Sequence, residues 1–73
     1  MARITEKTRV KLGKKIQRLR KLKDLSQEKL AEEVKISRTH MGHIEQGRKS
    51  PSLEVLERLS RSLKVKLSDL FER

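Results

Sequence analysis

A single aromatic residue, Phe71, and no cysteine among 73 residues restrict this chain more than any other feature. No disulfide and no Cys-ligated zinc can staple it, and no cysteine thiol can serve as a nucleophile. Its core must come from leucine, isoleucine and valine packed between helices. A chain this short buries only about 60% of the surface that its unfolded form exposes, so a single small domain is expected, without a large ligand pocket. Apolar runs never exceed two residues, too short to span a membrane. The charged amino terminus lacks the apolar stretch of a secretory leader. The expected setting is the cytoplasm.

The apolar spacing supplies the helices. Leu12, Ile16, Leu19 and Leu22 recur in steps of four, three and three, one face of a helix over about Thr8–Lys23. Residues 1–7 then read as a flexible arm. Ser26 stands where an N-cap would satisfy the free amides of a second helix, about Gln27–Val34, with Leu30, Ala31 and Val34 as its buried stripe. Ser37 repeats the cap after only Lys35 and Ile36, opening a third helix, Arg38–Gln46, with Met41 and Ile44 inward. Gly47 suits the left-handed residue that ends it, and residues 47–51 read as a loop. Ser50 or Ser52 caps a fourth helix with the stripe Leu53, Leu56, Leu59 and Leu63. A fifth, about Leu67–Glu72, closes the core with Leu70 and Phe71. The whole is an all-α, compact five-helix single domain with no repeat and no linker.

Two short helices joined by a very tight turn, the second opening on small polar and basic residues, have the layout of a helix-turn-helix, here over about residues 27–46. Such a unit places the exposed N-terminal residues of its second helix against base edges in the major groove, while the apolar face holds that helix to the first. Ala31 must be small where the two helices cross.

The order of residues along most of the chain resembles the Cro and phage-repressor type of helix-turn-helix proteins, the xenobiotic response element class with its lambda-repressor-like fold. The matching residues are Leu12-Gly13, Ile16, Leu19-Arg20, Ser26-Gln27-Glu28, Leu30-Ala31, Val34, Ile36-Ser37, Ile44-Glu45-Gln46-Gly47, Ser50-Pro51-Ser52-Leu53, Val65, Leu67 and Asp69-Leu70-Phe71. The resemblance implies a DNA-binding domain that acts on operator DNA as a two-fold dimer paired through its last helix. It implies that Arg38 and Thr39 lead the base contacts and that His43 faces the groove one turn on. Gln27, His40, Gln46, Arg48 and Lys49 would contact phosphates or the groove edge, and Arg20 with Glu45 would form an ion pair fastening the first helix to the third. Minimal members of this type include Cro-like repressors and the controllers of restriction–modification systems. One position departs: where the family most often has glycine in the turn, this chain has Lys35, and a left-handed lysine costs on the order of 1 kcal/mol.

Rival readings are plainer. Arg38 could be a solvated cation, but an arginine fork matches the O6 and N7 acceptors of guanine. His40 and His43, three apart, are too few to hold a metal without further ligands. Gly13 and Gly42 sit inside helices, where each costs about 1 kcal/mol relative to alanine. Close backbone contact would explain either, and room for a phosphate would also explain Gly42. No acid–base pair, activated nucleophile or phosphate loop is present, so neither catalysis nor a cofactor is expected, nor a domain for a small-molecule effector.

Charge refines the reading. The chain carries 20 Lys and Arg against 10 Asp and Glu, a formal net charge of +10. Residues 1–24 have a net charge of +8, residues 25–47 of −1 and residues 48–73 of +3. The reading unit is nearly neutral and its flanks are basic, as suits a division in which the flanks hold phosphates and the central helix reads sequence. With what the resemblance implies, the expectation is a sequence-specific transcriptional regulator on a pseudo-palindromic operator. An antitoxin-like protein-binding module and a nonspecific nucleic-acid binder are the alternatives.

Overall fold

The computed structural model describes residues 4–72, which form four α-helices and a closing 3-10 helix. The helices are α1 (Glu6–Leu22), α2 (Gln27–Glu33), α3 (Arg38–Glu45) and α4 (Leu53–Leu63), and the 3-10 helix is Leu67–Phe71. Each α-helix starts on a hydroxyl that accepts the amide three residues on. Thr5 accepts from Thr8 at 3.2 Å, Ser26 from Lys29 at 3.0 Å, Ser37 from His40 at 3.0 Å and Ser52 from Val55 at 3.1 Å. Replacing such a cap by alanine costs about 1 kcal/mol. The Thr5 cap starts α1 two residues before the expected start at Thr8, so Glu6 and Lys7 of the expected arm are helical; residues 1–3 of that arm lie outside the described residues.

The helices end alike. A left-handed residue follows α1 (Asp24, φ 55°), α2 (Lys35, φ 62°), α3 (Gly47, φ 75°) and α4 (Lys64, φ 58°). The next amide then reaches back to a carbonyl in the last turn: Leu25 to Arg20 at 3.1 Å, Ile36 to Ala31 at 3.0 Å, Arg48 to His43 at 2.9 Å and Val65 to Ser60 at 3.0 Å. This is the Schellman arrangement, and only one of its four left-handed positions is glycine.

The core is Leu12, Ile16, Leu30, Ala31, Val34, Met41, Ile44, Val55, Leu56, Leu59, Leu63 and Leu70, with Leu19, Leu25, Ile36, Val65 and Leu67 packed partly against it. Four expectations are corrected. Phe71, expected to close the core beside Leu70, is 46% exposed and lies outside it. The fifth helix is a 3-10 helix, because five residues are too few for cooperative α-helix. The Asp69 amide bonds to the Lys66 carbonyl at 2.9 Å, and the Asp69 carboxylate accepts the Lys66 amide at 2.9 Å. Leu22 is 74% exposed and Leu53 63% exposed, although both fit the apolar spacing. Periodicity selects a face of a helix but not how far along that face the core extends, and these two leucines stand at helix ends.

Candidate nucleic-acid interface

The placement of α3 begins with α1. A Cβ at Gly13 would overlap the backbone carbonyl oxygens of Ile44 and Glu45, so at this point the two helices meet backbone to backbone, a contact that only glycine permits. Seven residues later, Arg20 donates from Nε to Glu45 Oε2 at 2.7 Å and from a terminal nitrogen to Glu45 Oε1 at 3.1 Å, while its other terminal nitrogen bonds the Leu25 carbonyl at 2.7 Å. Four residues before Gly13, Arg9 donates from Nε to the Gly47 carbonyl at 3.0 Å. Gly47 itself lies so close to α1 that a Cβ would sit 2.8 Å from the Cα of Val10. At 100° per residue, positions 9, 13 and 20 share one line of α1, so α1 splints α3 and the start of the loop beyond it.

From α2, Gln27 donates from Nε2 to Glu45 Oε1 at 2.9 Å. The Glu45 side chain is 1% exposed and Arg20's 10%. Three donors thus neutralise the one carboxylate of α3 and turn it away from solvent. What α3 shows to the outside is therefore free of negative charge.

That outer face is built from several sequence-predicted residues. Thr39 and Gln46 are exposed and His43 half-buried. Their spacing of four and three residues makes them one row on the side opposite the buried Met41, Ile44 and Glu45. Arg38, also exposed, opens the helix just after its Ser37 cap. On the flank nearer Gln27 lies Gly42, where a Cβ would find only Gln27 Oε1, at 3.9 Å. Among the described residues, no packing requires glycine there. His40 is half-buried on the other flank of the row, and Arg48 and Lys49 are exposed in the loop past Gly47. Among the described residues, no group of three or more His, Asp or Glu side chains gathers in an arrangement that could hold a metal ion. No helix among them is long and apolar enough to cross a membrane.

Sequence reasoning passed over Arg9. Its relation to Gly13 and Arg20 along α1 was the available clue, but nothing in that spacing reveals that Gly47, 38 residues away, supplies the acceptor.

A tight two-helix unit whose second helix presents an uncharged and basic face defines a helix-turn-helix protein. The chain belongs to the helix-turn-helix family HTH_3, whose profile matches residues 16–70. It is 42% identical over 64 residues to the control protein C.MunI of a Mycoplasma species, covering 86% of each chain. It is 37% identical over 70 residues to the control protein C.BamHI of Bacillus amyloliquefaciens, covering 94% of this chain and 86% of that protein. The fold matches the restriction-modification controller protein C.AhdI of Aeromonas hydrophila with a TM-score of 0.82 and 35% identity, over 85% of this chain and 94% of that one.

Proposed function

We propose that this protein is a sequence-specific DNA-binding transcriptional regulator that binds a pseudo-palindromic operator as a homodimer. The observation that carries the reading is the carboxylate-free outer face of α3, held rigidly by α1 through Gly13 and Arg20. Arg38, Thr39 and His43 read base edges from that face. Gln27, His40, Gln46, Arg48 and Lys49 hold the phosphates around it, and the Arg20–Glu45 pair keeps the reading helix in register. Similarity to the control proteins C.MunI, C.BamHI and C.AhdI supports control of gene expression, with a restriction–modification system as the setting. The protomers pair through the C-terminal segment, where Phe71, 46% exposed, offers apolar surface. The protein works in the cytoplasm, without cofactor, catalysis or small-molecule effector.

Selection of bound duplexes from a random pool tests this directly. The winners should be palindromic with half-sites about 34–36 Å apart, one helical turn, and should bind about 10³-fold or more tightly than random duplex at physiological salt. Equal affinity for selected and random duplexes would reject a specific regulator in favour of a charge-driven binder.

A further inference from the structure

We infer that Arg9 is a phosphate-binding residue, completing with Arg48 and Lys49 a three-cation grip on the DNA backbone just past the reading helix; the inference rests on the duplex-binding function proposed above. Arg9 and Arg20 occupy the same line of α1, yet their guanidinium groups are used differently. Arg20 spends all three nitrogens on protein acceptors, two of them on a carboxylate. Arg9 spends only Nε, on the neutral Gly47 carbonyl. Its terminal nitrogens make no hydrogen bond and no ion pair among the described residues, where the ion pairs are Arg20–Glu45, Lys29–Glu32 and Arg58–Glu54. Glu6, one turn earlier on α1, does not engage it. A neutral donor would satisfy Gly47, so the positive charge of Arg9 is surplus to the protein's own needs.

The geometry makes that surplus useful. A guanidinium is planar, so anchoring Nε on a fixed carbonyl sets its plane and presents the terminal N–H groups as a fork suited to phosphate oxygens. The anchor is itself immobile, because Gly47 is left-handed and packed on Val10. The segment from Gln46 to Ser52 contains Arg48 and Lys49 and no acidic residue. An anion seated there would lie beside the end of α3, in fixed register with Thr39, His43 and Gln46.

Arg9→Gln isolates the claim. The glutamine side-chain nitrogen stands as far from the backbone as Arg Nε, so the bond to Gly47 survives while the charged fork is lost. Binding of wild type and variant to a short operator duplex and to a random duplex is measured by fluorescence anisotropy across a salt series, beside thermal melts. Arg9→Gln should melt as wild type, bind both duplexes about tenfold more weakly, and show a slope of log K against log salt shallower by about 0.9, the contribution of one phosphate. Arg9→Lys, which keeps the charge but not the fork, should retain the wild-type slope with weaker binding. Unchanged slope and affinity in Arg9→Gln would overturn the site, as would a loss confined to the operator duplex. Wild-type protein that bound neither duplex would instead overturn the proposed function.

Discussion

Arg20 closes on Glu45 through two parallel hydrogen bonds, 2.7 and 3.1 Å long, and buries the carboxylate between α1 and α3. Breaking a buried pair by removing one partner costs about 3–5 kcal/mol, since the remaining charge is stranded out of water. Arg20→Ala leaves Glu45 with only the Gln27 amide. It should lower the melting temperature by more than 10 °C, taking about 4–8 °C per kcal/mol for a domain of this size. Replacing both partners together with methionine removes the stranded charge, so the double variant should melt above Arg20→Ala. Melts of the wild type, both single variants and the double variant form the cycle that checks this.

The two helix-interior glycines should respond oppositely to alanine. Gly13→Ala forces a methyl into the carbonyl oxygens of Ile44 and Glu45 and should cost about 1–3 kcal/mol as an overpacking change. Gly42→Ala meets only a side-chain oxygen at 3.9 Å and should gain about 0.5–1 kcal/mol from helix propensity. Urea unfolding with unchanged m-values would report both differences.

The left-handed lysines offer a stabilising change. Lys35 and Lys64 carry φ of 62° and 58° and are exposed, and a left-handed side-chain-bearing residue costs roughly 1–2 kcal/mol. Lys35→Gly and Lys64→Gly should each raise stability by about 0.5–1 kcal/mol after the greater chain entropy of glycine is offset. Asp24→Gly should gain less, because aspartate tolerates this region better than lysine. Thermal melts of the three single variants give the ranking.

Substitutions on α3 and in the loop beyond it should separate reading from holding. Arg38→Ala should lose about 1–3 kcal/mol of operator affinity and relax preference at one base pair, whereas Lys49→Ala should weaken all sequences alike and flatten the salt slope by about one. Competition binding against operators varied one base pair at a time distinguishes the two patterns. A uniform loss for Arg38→Ala would make it a phosphate contact.

Local signals in the sequence were legible because local chemistry sets them. Serine caps at 26 and 37 mark the starts of α2 and α3, and Gly47 marks the end of α3, each by satisfying backbone groups within a few residues. Lys35 takes the left-handed turn conformation that the resemblance implied for its position. What periodicity misjudged was extent: Leu22 and Leu53 fit the stripe but lie beyond the core, and Val55, off the expected leucine spacing, is buried instead. Apart from the Arg20–Glu45 pair, which the resemblance implied, least legible were contacts between residues far apart in the chain. Gly13 gave no sign that it faces Ile44 and Glu45, and Arg9 gave none that it reaches Gly47, because such partnerships exist only once α1 lies along α3.

The two faces of α3 have different surroundings. Met41, Ile44 and Glu45 answer to α1, α2 and the core, while the side chains of Thr39, His43 and Gln46 make no hydrogen bond among the described residues. On the proposed function, inner positions answer to folding and outer ones to the operator, with little traffic between the two demands. A lineage built on this scaffold can exchange one target sequence for another by successive changes on the outer row, every intermediate remaining a folded protein.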